Sequence, residues 1–537
     1  MLQRLIGALV LGVAASLSLA ASEPASADLS VGAGERLRQV NGERLIGAAA
    51  ATPGIDAFLG IPFALPPVGE LRWRAPVAFA GSGGTRRVQH FAPACMQSPR
   101  ILDWYRGMAE RFGASREVFA DLVTSEDCLH LNVWAPAAIP AKPLPVMVFV
   151  HGGSNRSGWS FEPNYHGDRL AAEGAVVVSI AYRLGVFGFF SHPQLAANAV
   201  SSNFGLWDQL LALRWIQRHI KEFGGDPRRV TVFGESAGAG NLALLMLAPE
   251  ARGLLQRAIL QSGGDYGWPS MRSLADEQAR GRQLARAFDA TSPPDLAALR
   301  AMPAARLLAV AEEVFREHYH APVIDGVLVR QGTAAQIAAR EGPLQALLIG
   351  TNANEYFEAL PAAAAQAALE RALAGEAWLV GPAAREALRS SDDAALALDR
   401  LSTAESMLCP AQQLAAGVAA SGVPVWMYEF ARVREGAAAA QLRAYHGAEL
   451  PYVFGTHDAW LPTDAIDQRL TREMMRAWVR FADGHAPAVR GLPRWPRFVL
   501  PGRANVLRFD RRTTLIDTPE PVLCGLYRER LARNSSQ

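Results

Sequence analysis

The stretch that decides how this chain folds is VTVFGESAGAGNLALLML, residues 230–247. It opens with a β-branched, apolar run of strand character. It turns on Gly234-Glu235-Ser236-Ala237-Gly238 and continues into an Ala/Leu-rich stretch that reads as helix. A strand passing into a helix through G-x-S-x-G strains the serine backbone and holds the hydroxyl clear of the chain. Glycine flanks the turn because a side chain at 234 or 238 would collide with neighbouring backbone. Ser236 is therefore the candidate nucleophile. The Ala237 N–H, at the helix N-terminus, is placed to donate to an oxyanion with the helix dipole behind it. The five-residue pattern is weak by itself; the strand before it and the helix after it give it weight.

Outward from this turn, further apolar runs of strand length stand at 146–150, 175–181, 258–261 and 346–349. Runs apolar on both faces suit central strands of a mostly parallel sheet. Between them lie helical patterns such as NFGLWDQLLALRWIQRHIKEFGG (203–225), stopped by Gly224-Gly225. The alternation predicts an α/β protein: a large, mostly parallel central sheet with helices on both faces. Residues 271–316 and 360–405, helical in period, read as insertions over the sheet. Residues 54–76, rich in Pro and Gly, read as short strands and turns wrapping a surface.

A serine attacks at neutral pH only with a base to take its proton and an acid to orient that base. In this kind of fold the chain order is Ser, acid, His. His446, in AYHGAELPYVFG, sits in a Gly-flanked loop after the apolar run 423–430; His318, His320, His457 and His485 are its rivals. Glu355 follows the strand ALLIG (346–350) within TNANEYF. The segment VFVHGGSNRSG (148–158) is a strand running into a glycine turn, a second source of backbone N–H donors.

About half of the 537 residues are apolar and 19% are charged, the balance of a globular protein with a large core. The formal charge is +2, with only two lysines, Lys142 and Lys221, and no basic stripe that suggests nucleic acid. No interior apolar run is long enough for a membrane span. Residues 1–27 combine Arg4, the apolar run LIGALVLGVAA and small residues, which predicts an export signal cleaved after Ala20 or Ala27. Residues 28–537 then form one domain, in the periplasm or the medium. Four cysteines, Cys95, Cys128, Cys409 and Cys524, fit two disulfides in that setting, and three pairings are open.

Together these residues resemble the type-B carboxylesterases, the cholinesterase-like branch of the α/β-hydrolase fold. The resemblance runs from about residue 54 to about residue 525. It rests on PPVGELRW, EDCLHLNVWAP, VFVHGG, AYRLGVFGF, VTVFGESAGA, AILQSG, PVIDG, GTNANE, YHGAELPYVFG and WVRFADGHAP. It implies Glu355 as the acid and His446 as the base. It also implies the pairings Cys95–Cys128 and Cys409–Cys524. Ser262, of QSG, is implied to lie near the acid and orient it. The two further oxyanion amides map onto Gly153 and Ser154, beside Ala237.

The sequence departs from the family at Gly152-Gly153-Ser154-Asn155, where relatives carry three glycines and an aromatic. Asn155 and Arg156 there point to a polar or anionic substrate, and read equally well as a solvent-facing loop. Glu235 reads either as a source of negative potential or as a buried structural acid. Trp159, Phe161, Trp268 and Phe357 are pocket-wall candidates. The resulting expectation is a serine hydrolase of small-molecule carboxylic esters, working through an acyl-enzyme without metal or cofactor. A lipase, or a binding protein that keeps the fold without catalysis, are the alternative readings.

Overall fold

The computed structural model describes residues 35–195, 200–264, 271–316, 320–330, 344–375, 386, 388 and 393–534. The export segment, His318 and Trp268 lie outside the described residues.

The strands are β1 (Glu35–Val40), β2 (Glu43–Ala49), β3 (Ile55–Pro62), β4 (Thr85–Arg87), β5 (Ala94–Cys95), β6 (Thr124–Ser125), β7 (His130–Pro136), β8 (Leu144–Val150), β9 (Val176–Ile180), β10 (Gly225–Glu235), β11 (Arg257–Gln261), β12 (Ala346–Asn352), β13 (Val425–Phe430), β14 (Val506–Phe509) and β15 (Thr514–Ile516). The main sheet runs β1-β2-β3-β7-β9-β8-β10-β11-β12-β13-β14-β15, with β4 beside β2; β5 and β6 form a small separate pair. From β9 through β14 every pairing is parallel. The β1-β2-β3-β7-β9 side is antiparallel. Residues 55–62 thus belong to the sheet itself and do not wrap a surface as the Pro/Gly content suggested. Most of β3 is buried, and its apolar residues pair with β7.

The central strands show why the chain makes two layers of helix. Along β8, Val146, Val148 and Val150 enter one core, while Met147 and Phe149 enter the other. That is the period-2 alternation of a strand apolar on both faces. Helices Phe204–His219, Ala237–Leu245 and Cys409–Ala420 contribute to the first core. Helices Leu450–Phe454 and Ala465–Ala482 contribute to the second. Helices Leu274–Phe288, Leu296–Ala301 and Ala304–Val314 build a satellite cluster with Trp73, Phe190 and Phe204.

Both disulfides, Cys95–Cys128 and Cys409–Cys524, are formed in the pairing that the resemblance implied. The first closes a loop carrying helix Arg100–Arg111, a wall of the cavity described below. Among the described residues no helix is long and apolar enough to cross a membrane.

Candidate active site

β10 ends at Glu235 and the next helix begins at Ala237, leaving Ser236 alone on the turn with φ 55° and ψ −128°. Its N–H donates to the Gln261 carbonyl at the end of β11 (2.9 Å), which anchors the strained backbone to the neighbouring strand. A Cβ on Gly234 would stand 2.7 Å from the Val150 carbonyl oxygen, and one on Gly238 2.2 Å from it. The flanking glycines are thus set by close approach of β8. Ser236 Oγ makes no hydrogen bond among the described residues.

The segment after β8 curls against this turn. A Cβ on Gly152 would lie 2.9 Å from Ser236 Cβ, so only glycine fits there. Gly153 has φ +94°, Ser154 φ 59° and Asn155 φ 55°. Ser154 therefore occupies the left-handed region that a glycine would take without cost. The Gly153 carbonyl accepts from the Arg156 and Ser157 N–H groups (3.0 Å each), while the Gly153 and Ser154 N–H groups donate to nothing among the described residues. Both residues line the cavity that contains Ser236.

Glu355 and His446 meet although they come from different loops. His446 Nδ1 lies 2.7 Å from Glu355 Oε2, and Glu355 Oε1 accepts from the Asn352 N–H at 2.7 Å. Asn352 Nδ2 donates to the Tyr445 carbonyl and to Glu449 Oε2, both at 2.7 Å, tying the histidine loop to the end of β12. Asp399, buried, accepts from Asn354 Nδ2 (2.8 Å) and the Tyr356 N–H (3.1 Å), fixing the turn that carries Glu355. Glu449 also accepts from Gln261 Nε2 at 3.0 Å. Asn352, Asp399 and Glu449 had no assigned role in the sequence reading. Asn352 and Glu449 lie inside the quoted motifs, but only the folded contacts give them work.

The other ring nitrogen of His446 faces Glu235: Nε2 lies 3.1 Å from Oε1. Burial pushes the Glu235 carboxyl up to about 8, against the pull of His446. Burial works against a charged His446, but the Glu235 and Glu355 carboxylates outweigh it and raise the imidazole above its ordinary value. Glu235 is thus a buried acid within hydrogen-bond reach of the imidazole. The elbow places it there: it is the last residue of β10, next to Ser236.

Several expectations are corrected. Ser262 Oγ is buried without a hydrogen-bond partner, and it is the Asn352 N–H that holds Glu355. Asn155 is fully buried and accepts from Asn241 Nδ2 at 2.8 Å. Arg156 is buried against Glu312, with Nε 2.8 Å from Oε1, and also donates to the Arg316 carbonyl. Neither lines the cavity, so neither faces a substrate. Trp159, Phe161 and Phe357 do not line the cavity that holds Ser236 either. Phe161 stacks on Phe91 and Phe357 lies under Arg443. The aromatic lining comes from Trp104, Tyr105, Tyr165, Tyr445 and Trp460. Of the rival histidines, His457 is clamped between Arg434 and Thr471, His320 is buried, and His485 is on the surface. Burial lowers both His457 and His320 to about 3.

The cavity holds about 240 Å³ and opens beyond the carboxyl ends of the neighbouring strands β8 and β10. Binding sites of open α/β sheets lie at such edges. Residues 36–524 match the sequence profile of the carboxylesterase family. The chain is 35% identical to a fumonisin B1 esterase of Sphingopyxis macrogoltabida, over 84% of this chain and 83% of that protein. It is 33% identical to a human cocaine esterase, over 84% of each chain. It is 32% identical to a para-nitrobenzyl esterase of Bacillus subtilis, over 87% and 94%. A solved PNB esterase structure superposes with a TM-score of 0.76 at 28% identity, covering 91% of this chain and 99% of that one. A carboxylesterase of Geobacillus stearothermophilus gives 0.75 at 30% identity, covering 91% and 99%. With its α/β-hydrolase sheet and matching profile over nearly its whole length, this chain belongs to the carboxylesterase family and is a carboxylic-ester hydrolase.

Proposed function

We propose that this carboxylesterase works through an acyl-enzyme on Ser236, with His446 as general base and Glu355 as the acid that orients it. The observation that carries this reading is the Glu355–His446 hydrogen bond at the cavity that holds Ser236. For reaction, Nε2 turns from Glu235 to Ser236 Oγ; such contacts commonly tighten only with substrate in place. Oγ then bonds to the ester carbonyl carbon and its proton passes to Nε2. The oxyanion lies against the N–H groups of Gly153, Ser154 and Ala237, each worth about 3–4 kcal/mol of barrier. Nε2 returns the proton to the departing alkoxide, and the alcohol leaves. Water, deprotonated by the same nitrogen, then releases the acid and restores Ser236.

The relatives are named for three different esters, so the walls of the cavity, not the family, set the substrate. An anionic preference has lost the residue it rested on, since Arg156 is bound to Glu312. A polar preference keeps support from Glu162, Asn164 and Asp458 in the lining. We also infer export. Two disulfides fit an oxidising compartment, and the leader-like residues 1–27 supply the route.

The test is a fluorophosphonate probe beside an ester panel varying acyl length, charge and aromatic content. The expected result is labelling at Ser236 and a loss of hydrolysis of at least about 10³-fold in Ser236→Ala. An unlabelled protein, or a Ser236→Ala variant with undiminished hydrolysis, would overturn the mechanism.

A further inference from the structure

Two buried asparagines join the two sources of backbone donors beside Ser236. Asn155 closes the left-handed run in the segment after β8, with φ 55°, and follows Gly153 and Ser154 directly. Asn241 stands in the helix Ala237–Leu245, which begins just after the nucleophile. It is four residues beyond Ala237, so the two share a face of that helix one turn apart. Asn155 Oδ1 accepts from Asn241 Nδ2 at 2.8 Å, and both residues are fully buried. The contact therefore bridges the loop of Gly153 and Ser154 to the helix of Ala237.

Packing alone does not call for an amide at 241. Ala239, Leu242 and Ala243, beside it on the helix, belong to the apolar core. Asparagine is a poorer helix former than alanine, and a buried amide costs stability unless it is paired. Choices that cost stability concentrate at functional sites. At 155, asparagine tolerates the left-handed backbone better than most residues that carry a side chain. The other side of the segment is held separately. The Asn155 carbonyl accepts from the Gly185 N–H at 2.6 Å. The neighbouring Arg156 binds Glu312 of the helix Ala304–Val314, which also accepts from Ser98 Oγ at 3.2 Å. Those contacts fix the segment to the insertion; the Asn155–Asn241 contact fixes it to the helix of the nucleophile.

We propose that Asn155 and Asn241 are positioning residues: their amide pair holds the Gly153 and Ser154 N–H groups in register with the Ala237 N–H, so that all three serve one oxyanion. The inference rests on the Ser236 hydrolase reading and adds to it two residues that touch no substrate. Oxyanion donors act within about 2.7–3.1 Å of the place the oxygen will take, and a misplacement of about 1 Å costs about 100-fold in rate. The segment needs such a hold because Ser154, at φ 59°, lacks the freedom of glycine. A strained backbone persists only where its surroundings over-determine it.

The experiment measures kcat and KM for a nitrophenyl ester, the inhibition constant of an alkyl trifluoromethyl ketone, and thermal unfolding. With the ketone, Ser236 Oγ bonds to the carbonyl carbon, the hydroxyl proton passes to His446, and the carbonyl oxygen becomes the oxyanion. Asn155→Gly keeps the left-handed backbone and removes the acceptor. Asn241→Ala removes the donor and favours the helix. Each should lower kcat about tenfold or more and weaken the ketone by a similar factor, with KM within about threefold. The double variant should be no slower than the slower single, because one contact is lost in every case. Where a single variant does not fold, the double variant, with both amides gone, carries the test, and the same two losses are expected. A lowered unfolding temperature with kcat and ketone affinity unchanged would overturn the proposal, as would losses that multiply in the double variant. So would a double variant that does not fold, since the pair would then serve the fold. If the wild type takes no fluorophosphonate at Ser236 and does not bind the ketone, it is the hydrolase mechanism that has failed.

Discussion

His446 sits between two carboxylates, with Nδ1 2.7 Å from Glu355 and Nε2 3.1 Å from Glu235. The second contact follows from the turn itself. Glu235 ends β10, one residue before the serine, so whatever lies over Ser236 also lies near that carboxylate. Glu235 faces the nitrogen that the reaction needs, and the two groups titrate as a unit.

Glu235→Gln removes one of the charges that raise His446. The imidazole then loses its proton at lower pH, and the acid limb of kcat/KM moves to lower pH by about one unit. The full pH profile of the variant against wild type measures this. A limb that stays in place would show that Glu235 does not set the protonation of the base.

Ser154 holds φ 59° where a glycine is unstrained. Ser154→Gly should keep kcat within about twofold, because the backbone N–H stays, and should relieve about 1 kcal/mol of backbone strain. Activity and thermal unfolding, measured together, separate the two effects. A large loss of kcat would mean that the serine side chain, and not its amide, serves the site.

The two disulfides should differ in what they protect. Their sequence separations are 33 and 115 residues. Loop entropy then suggests stabilisation of about 4 kcal/mol for Cys95–Cys128 and about 5 kcal/mol for Cys409–Cys524. Paired Cys→Ala variants at 409 and 524 should lower the unfolding temperature with little change in KM. The pair at 95 and 128 frees the loop that carries Trp104 and Tyr105, so it should raise KM as well.

Arg432, fully buried, donates from Nε to Asp467 Oδ1 at 2.8 Å at the start of helix Ala465–Ala482. Burial opposes the Asp467 charge, but the Arg432 hydrogen bond and its neighbours lower the carboxyl to about 2. A depressed carboxyl stabilises the fold above its unfolded value near 4 and loses that contribution as pH falls through about 2. Asp467→Asn should therefore cost about 3–5 kcal/mol at pH 7. The gap to wild type should narrow on acidification from pH 4 to pH 2. Thermal unfolding across that range checks the sign.

The elbow and the sheet around it were legible because their signals are local. Apolar runs mark β8 to β12, and the glycines at 234 and 238 mark the place where the end of β8 approaches the turn. Ser236, Glu355 and His446 could be named from chain order and from the resemblance, since each follows a recognisable strand or motif. The antiparallel side was harder to read. β3 lies in a Pro/Gly-rich segment, and its membership of the sheet depends on β7, far along the chain.

By itself, the sequence determined which residues can do chemistry and which segments form strands and helices, because propensity and period act over a few neighbours. Only the tertiary structure decided what surrounds them. It turned Arg156 away to Glu312, left the Ser262 hydroxyl without a partner among the described residues, and brought Asn164 beside the loop of Asp458. Those contacts join residues that the chain keeps far apart, and packing and burial, which no local pattern encodes, choose among them.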